Sequence, residues 1–203
     1  MTQSTTFDSN SPIFYHGQVT GAIESPRFIQ LLAAQAARVG RLFQSGHYML
    51  NIDELRAAGW DLDGAPRKQS PGALLAHVVR VGQHLFRGAK IYVWSDMFDP
   101  FHNAQKKYFL VNGSLRQSWR GLNRRTVIIN WGSPHKRRSL RFFARLGNRQ
   151  IVAAYYDAPL TQTAAWLRAA RGVPGVIGYM HTTWRGDYRK LAAFASLVRR
   201  GYR

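Results

Sequence analysis

Cysteine is absent from the 203-residue chain. Its absence excludes disulfide bonds, thiolate metal sites and cysteine nucleophiles, and it is typical of proteins from a reducing cytoplasm. The chain also lacks an apolar run of about 18 residues, so the sequence predicts no membrane-spanning helix. The N-terminus has no basic segment followed by an apolar one, so no secretory signal is predicted. We therefore expect a cytoplasmic protein.

Acidic residues are scarce. Ten Asp and Glu stand against 29 Lys and Arg, which gives a formal net charge of +19. Such an excess favours an anionic partner, above all nucleic acid. However, 23 of the basic residues are Arg, they are scattered along the whole chain, and no run reaches five like charges. An arginine-rich composition alone would give the same total, so nucleic acid is the less favoured partner.

Nucleotide-binding and metal-binding motifs are missing as well. Neither G-x-G-x-x-G nor G-x-x-x-x-G-K-[ST] occurs, although a doubly wound nucleotide-binding fold needs a glycine-rich turn after its first strand. The seven His are scattered and show no metal-ligand spacing. The sequence thus predicts neither a cofactor nor a metal.

Apolar periodicity predicts an alternation of helices and strands. Ser70 and Pro71 are start signals for one helix, Thr161 is a candidate cap for another, and Gly147 can close a third. One short strand is expected in "PIFYHGQVTGAIE". The other predicted strands are "HYMLNID", "KIYVWSD", "RTVIINW", "RQIVAAYYD" and "GVIGYMHTTW", and the predicted helices are "ESPRFIQLLAAQAARVGRLF", "SPGALLAHVVRVGQHLF", "SLRFFARLG", "TQTAAWLRAARG" and "DYRKLAAFASLVRRG".

This alternation predicts an α/β fold with a parallel sheet. An open doubly wound sheet and part of a (β/α)₈ barrel both fit the pattern. A complete barrel has eight strands and about 250 residues, whereas only five confident strands are predicted here. We expect a partial (β/α)₈ TIM barrel over residues 25–203 with its first strands missing, after a polar N-terminal tail and short lead-in over residues 1–24.

Carboxylates and aromatic residues collect where the predicted strands end. In parallel α/β folds this edge of the sheet binds the ligand, and carboxylates among Trp and Tyr are typical of sugar sites. A helix cap or a core position remains an alternative for any one of them. The candidate residues are Asp53, Glu54, Trp94, Asp96, Asn130, Trp131, Tyr155, Tyr156, Asp157 and Trp184.

Asp53 and Glu54 are the most informative of these residues. They are adjacent and follow an apolar run, "YMLNI". Two carboxylates so close together raise one of their two pKa values, which costs stability unless the site uses the effect. Arg56 is a candidate neutralising partner, but a functional role for the pair is favoured.

Several long segments, in order, resemble the C-terminal part of bacterial glycoside-hydrolase-like proteins akin to the family 20 β-N-acetylhexosaminidases. That family has a (β/α)₈ catalytic barrel. The resemblance covers about residues 25–197, and it implies a protein that acts on or binds N-acetylhexosamine sugars. The segments are "YMLNIDELRAAGWD", "IYVWSDMFDPFHNA", "YFLVNGSLRQSW", "VIINW", "SLRFFARLGNRQIVAAYYDAP" and "GVPGVIGYMHTTWRGDY".

The resemblance also implies roles for individual residues. Glu54 would be the general acid, and Asp53 would orient the 2-acetamido group of the substrate, which acts as the nucleophile in substrate-assisted retention. Tyr155 or Tyr156 would donate a hydrogen bond to the acetamido oxygen. The sugar pocket would be walled by Trp94, Trp131 and Trp184, with Asp96 and Asp157 as ligands of sugar hydroxyls.

The chain departs from the family at two positions: Ile52 stands where relatives carry His, and His181 where they carry Tyr. A non-catalytic carbohydrate-binding or scaffold remnant is therefore the first alternative, and a basic nucleic-acid-binding protein is the second. Because a partial barrel leaves sheet edges unpaired, we also expect association with a missing N-terminal barrel half or with a second copy.

Overall fold

The computed structural model describes residues 14–15, 18–19, 26–52, 70–105 and 114–201. The strands are β1 (Phe14–Tyr15), β2 (Gln18–Val19), β3 (His47–Leu50), β4 (Lys90–Trp94), β5 (Val127–Asn130), β6 (Arg149–Tyr156) and β7 (Val176–Thr182). The α-helices are α1 (Pro26–Phe43), α2 (Pro71–Leu85), α3 (Lys136–Arg145), α4 (Leu160–Ala170) and α5 (Leu191–Gly201), and two short 3₁₀ helices span Asp96–Phe98 and Ser118–Gly121.

Strands β3 to β7 form one sheet in which every pair is parallel and the spatial order equals the chain order. A doubly wound sheet reverses its strand order at a switch point, and this sheet does not. The doubly wound alternative is therefore wrong. The α/β fold is that of consecutive strands of a (β/α)₈ barrel. β1 and β2 form a separate antiparallel pair, where the sequence predicts a single strand.

The helices described here pack on one face of this sheet, which we call the helix-facing side. Strand residues such as Val93 and Ile128, which are register partners, share a core with Leu75 of α2 and Phe143 of α3. Further along, Val152 packs in a second core with α4 and α5. The opposite side, the far face, carries the alternate strand residues. A barrel also has its helices on one side of the sheet, whereas a doubly wound sheet has helices on both.

Helix ends follow the local sequence signals with one exception. The Ser70 hydroxyl accepts from the Ala73 N–H at 3.2 Å and caps α2. Gly147 follows α3 with φ +81°, a left-handed conformation that suits glycine. The predicted cap Thr161 is wrong, because it lies inside α4. Pro159 precedes that helix and its carbonyl accepts from the Gln162 N–H, so the first turn begins earlier.

A β-bulge interrupts the regular alternation of β6. Ala153 pairs with Met180 and Tyr155 with His181, so Ala154 is an extra residue in β6. Regular alternation resumes after the bulge, with Tyr155 on the helix-facing side and Tyr156 on the far face. Tyr155 stacks on the His181 ring within the helix-facing core, whereas the Tyr156 ring lies against Trp131.

No α-helix in the described ranges is both long enough and apolar enough to cross a membrane.

Candidate functional site at the carboxyl edge of the sheet

The parallel sheet brings four of the predicted site residues to one edge. Asp96, Trp131, Asp157 and Trp184 directly or closely follow the carboxyl ends of β4, β5, β6 and β7. The predicted catalytic pair, residues 53–54, lies outside the described residues. The parallel strand directions therefore explain why these residues share one edge of the sheet. What this edge can bind depends on its individual side chains.

The chain turns sharply just before that pair. The Ile52 N–H donates to the Leu50 carbonyl at 2.8 Å, which closes a three-residue turn directly after β3. The Ile52 side chain is buried in the core beside the helices. Asn51, between them, is exposed and its side-chain oxygen accepts from the Trp94 indole N–H at 3.3 Å. The ends of β3 and β4 are thus tied together at the edge.

Three aromatic rings on adjacent strands form a continuous surface, which we call the aromatic wall: Trp94, Trp131 and Tyr156. The ring centroids of Trp94 and Trp131 are 6.2 Å apart, and those of Trp131 and Tyr156 are 6.1 Å apart. Both contacts are edge-to-face, with interplanar angles of 67° and 89°, the geometry that aromatic quadrupoles favour. All three side chains are partly exposed. The wall is therefore both ordered and accessible.

Asp96 holds the central ring of the wall. Its side chain is wholly buried, its Oδ1 accepts from the Trp131 indole N–H at 3.1 Å, and its Oδ2 accepts from the Asn103 amide at 3.1 Å. A buried carboxylate needs such donors, because its desolvation is costly. The geometry favours a positioning role for Asp96 over direct contact with a sugar hydroxyl.

His102 lies against the same ring, with centroids 5.9 Å apart. Burial lowers the pKa of His102 to about 4, so the imidazole is neutral at physiological pH. Its Nδ1 is buried and has no hydrogen-bond partner among the described residues. Gly132 passes close by: a Cβ built on it would lie 3.1 Å from His102 Cε1. A neutral imidazole beside a tryptophan can both donate to and accept from a hydroxyl group.

Asp99 is a second wholly buried carboxyl, close to the start of α3. Its Oδ1 accepts from the Phe101 N–H at 2.8 Å, while Oδ2 has no hydrogen-bond partner among the described residues. Burial raises the pKa of Asp99, and the nearby Ser139 hydroxyl, the Phe101 N–H and His135 only partly offset that effect. α3 itself has no acidic residue in its first turn and no side-chain cap. Asp99 therefore supplies a carboxyl group close to the start of this helix.

Two predicted ligand-binding residues point away from the aromatic wall. The Asn130 amide donates to Gln150 Oε1 at 3.0 Å, and Gln150 in turn donates to the Leu140 carbonyl of α3. Asn130 is therefore fully buried on the helix-facing side. Tyr155 is buried with Phe194 of α5 in the same way. Of the two tyrosines, Tyr156 is the one that the structure brings to the wall.

Asp157 organises the loop after β7. It has a left-handed backbone, φ +58°, and its carboxylate accepts from the Thr183 hydroxyl and from the Trp184 and Arg185 N–H groups. These hydrogen bonds, led by that of Thr183, lower the pKa of Asp157. The Trp184 side chain is 72% exposed. Trp184 therefore stands at the edge on an anchored backbone, as a ring separate from the wall.

Sequence reasoning missed His102, Asp99, Asn103 and Asn51. The first three lie in "DMFDPFHNA", residues 96–104, where no periodicity or spacing marks a site. The available signal was composition: two Asp, one His and one Asn stand within nine residues, in a chain that has only ten acidic residues. Among the residues that the structure describes, no group of three His, Asp or Glu could hold a metal ion.

No protein-family model matches the chain, and a search of curated proteins finds no significant match.

Proposed function

We propose that this protein is a glycoside-hydrolase-like protein that binds N-acetylhexosamine-type sugars at the aromatic wall. The observation that carries the proposal is the wall itself: Trp94, Trp131 and Tyr156 stand on three adjacent strands at the carboxyl edge, where parallel α/β folds bind ligands. Adjacent strands are about 4.8 Å apart. Three rings therefore span about 10 Å, which is comparable with a disaccharide.

The chemistry of the wall suits a sugar. The apolar face of a pyranose ring stacks on aromatic rings, and its hydroxyl groups need donors and acceptors at the rim. The neutral imidazole of His102 and the exposed Asn51 side chain stand beside the two tryptophans. The preference for a 2-acetamido sugar rests on the resemblance to family 20 enzymes, in which Asp53 would contact the acetamido group.

Hydrolysis is the second part of the proposal, and it depends on residues outside the described ranges. Asp96 and Asp157 are both engaged by internal hydrogen bonds. They support the rings and the loop, and the resemblance to family 20 enzymes assigns proton transfer to Glu54. A non-catalytic sugar-binding protein uses the same wall without Glu54, and the two functions are separated by measuring binding and turnover on the same sample.

Calorimetric titration with N-acetylglucosamine oligosaccharides tests the binding. We expect Trp131→Ala to weaken binding by at least about 2- to 12-fold, since an aromatic stacking contact contributes about 0.5–1.5 kcal/mol beyond the buried area. Tyr188→Ala is the matched control, because Tyr188 is an aromatic residue that is 64% exposed and lies outside the wall. Equal loss in both variants, or no binding by the parent protein, would refute the proposal.

A further inference from the structure

Residues 114–176 have an extreme charge balance. They contain 12 Lys and Arg and a single acidic residue, Asp157. All but one of these basic side chains are exposed, the exception being Lys136, which lies over the Trp166 ring. Residues 114–176, which contain α3 and its flanking turns, therefore carry +11 of the formal net charge of +19.

α3 presents three of its four arginines on one exposed face, whereas the fourth, Arg137, donates to the Ala169 and Arg171 carbonyls. Arg138, Arg141 and Arg145 are spaced by three and four residues, so they lie in one row over about two helical turns. Leu140 and Phe143 occupy the opposite side of the helix and are fully buried. Like charges at this spacing destabilise a helix. The row is thus a cost to folding that a bound anion would offset.

The turn before β5 adds two more arginines to this row. An ideal Cβ on Gly147, just after α3, would lie 3.3 Å from side-chain atoms of Arg124. Arg124 therefore lies beside the C-terminal end of α3, next to Arg125 in the same turn, and both side chains are exposed. Together the five residues form what we call the arginine band: Arg124, Arg125, Arg138, Arg141 and Arg145.

Side-chain amides hold the turn in place. The buried Asn148 donates to the carbonyls of Asn123 and Thr126, at 2.7 and 3.0 Å. From the other side, Gln83 of α2 donates to the Thr126 hydroxyl and accepts from the Asn123 amide. Arg124 and Arg125 thus lie in a turn that is anchored at both ends. Binding of a partner therefore requires little change in the backbone of this turn.

The carboxylates in the described ranges do not neutralise the arginine band. Asp96 and Asp99 are buried, Asp157 is bonded within the loop after β7, and Asp187 pairs with Arg189 at 2.7 Å. Within those ranges, the Arg189–Asp187 contact is the recorded salt bridge. Within the described ranges, no carboxylate is therefore paired with any of the five guanidinium groups.

We propose that the arginine band binds the phosphate backbone of nucleic acid without sequence preference. Guanidinium groups match phosphate oxygens with two parallel hydrogen bonds, and all five members of the band are Arg. The exposed large apolar residues of the described ranges lie in α1, β3, β7 and residues 184–191. The apolar face of α3 is itself buried, so this helix has none to insert into a membrane.

The proposal is independent of sugar binding. The aromatic wall lies on the far face and carboxyl edge of the sheet, whereas α3 covers the helix-facing side. A variant that removes the band should therefore leave sugar binding unchanged, and Trp131→Ala should leave nucleic-acid binding unchanged.

The test is fluorescence anisotropy with a labelled DNA duplex of about 20 base pairs, between about 50 and 200 mM salt. The variant carries Arg124→Gln, Arg138→Gln, Arg141→Gln and Arg145→Gln. The control removes the same charge elsewhere, with Arg38→Gln, Arg41→Gln, Arg185→Gln and Lys190→Gln, all of them exposed residues outside the band. Each lost phosphate contact reduces the slope of log K against log salt by about 0.9.

We expect the band variant to lower the slope by about 3–4 and the affinity at 100 mM salt by more than about tenfold, with the control much less affected. Thermal melting of the band variant should equal or exceed that of the parent protein, because like-charge repulsion is removed. Equal losses in variant and control would show that only total charge matters and would overturn the proposal. Tighter binding to anionic vesicles or to a sulfated polysaccharide than to the duplex would overturn it too.

Discussion

The indole N–H of Trp131 donates to Asp96 Oδ1 at 3.1 Å, and Asp96 itself is inaccessible to solvent. Asp96, which the sequence predicts to bind a sugar hydroxyl, thus holds the Trp131 ring that would contact the sugar. The second oxygen of the carboxylate is occupied by Asn103, seven residues further along the same loop. One buried group therefore joins the loop after β4 to the central ring of the aromatic wall.

Replacing Asp96 should loosen that ring. We expect Asp96→Asn to lower the free energy of unfolding by about 1.5–3 kcal/mol, the usual worth of a hydrogen bond to a charged group. It should also shift the tryptophan fluorescence. Urea unfolding followed by fluorescence measures both effects. Asp187→Asn, which breaks the exposed pair with Arg189, is the control and should cost much less. Similar losses would contradict the positioning role.

Stability should depend on His102 between pH 6.5 and 4. Its pKa falls from 6.5 to about 4 in the folded protein, so the unfolded state binds the proton first. The stability that the neutral His102 imidazole contributes is complete above pH 6.5 and is lost as the pH falls from 6.5 through about 4. We expect His102→Gln to show a smaller drop in melting temperature over the window than the parent protein. His84→Gln, at an exposed position, should behave like the parent.

Asp99 should change the pH dependence of stability in the opposite direction to His102. Burial raises its pKa above 3.8 in the folded protein, so the folded state binds the proton first, and stability falls as the pH rises from 3.8 through the raised value. Asp99→Asn removes this loss, and its melting temperature relative to the parent should increase towards neutral pH.

Asp157→Asn is the matched control for Asp99→Asn, because the pKa of Asp157 is lowered. The stabilisation from ionised Asp157 is gained as the pH rises towards 3.8 and is complete above that value. The melting temperature of Asp157→Asn relative to the parent should therefore decrease as the pH rises towards 3.8 and then stay level, where that of Asp99→Asn increases. If both variants moved in the same direction, the assignment of Asp99 as a buried carboxyl that favours the protonated form would be wrong.

Gly132 should tolerate no side chain. It has φ +64°, and a Cβ would press on His102, which itself contacts Trp131. Gly172 has a similar φ of +68° but has nothing within 4 Å of an added Cβ. Gly172→Ala should therefore cost only the left-handed conformation, roughly 1–2 kcal/mol, and Gly132→Ala should cost more. Only Gly132→Ala should weaken sugar binding, which calorimetry can detect.

Turnover should depend on Glu54. If the protein hydrolyses β-N-acetylglucosaminides, Glu54→Gln should lower kcat on an unactivated disaccharide by about 10²–10⁴-fold, the usual contribution of a positioned acid. The loss should be smaller for an activated aryl leaving group, which needs little protonation. Asp53→Asn should affect both substrates alike. Unchanged kcat on the disaccharide would remove the acid assignment, and sugar binding without any turnover would favour the non-catalytic alternative.

The order of the elements could be predicted from the sequence because each signal is local. The Ser70-Pro71 start of α2 and Gly147 after α3 depend on a few neighbouring residues, and the structure confirms both. Thr161 failed because a proline two residues earlier starts α4 first. The edge at which the candidate site residues lie could also be predicted, because it follows from strand direction alone.

Side-chain directions at that edge could not be predicted. Asn130 and Trp131 are adjacent, but Asn130 turns towards α3 and Trp131 towards the wall. Which member of such a pair faces the ligand depends on register, and register is a property of neighbouring strands. The arginine band was hidden for a related reason: Arg124 comes to lie beside the C-terminal end of α3 only after β5 and α3 have folded against each other.

The bulge at Ala154 has a consequence for how β6 can change in evolution. Because it adds one residue to β6, it directs Tyr156 to the aromatic wall and Tyr155 to the helices, without any change in the side chains. If Ala154 were instead accommodated in regular alternation, Tyr155 and Tyr156 would exchange places between the aromatic wall and the core, whereas loss of the Ala154 codon would remove the bulge and keep both directions. A relative that lacks one residue at this point of the strand is therefore compatible with the same aromatic wall.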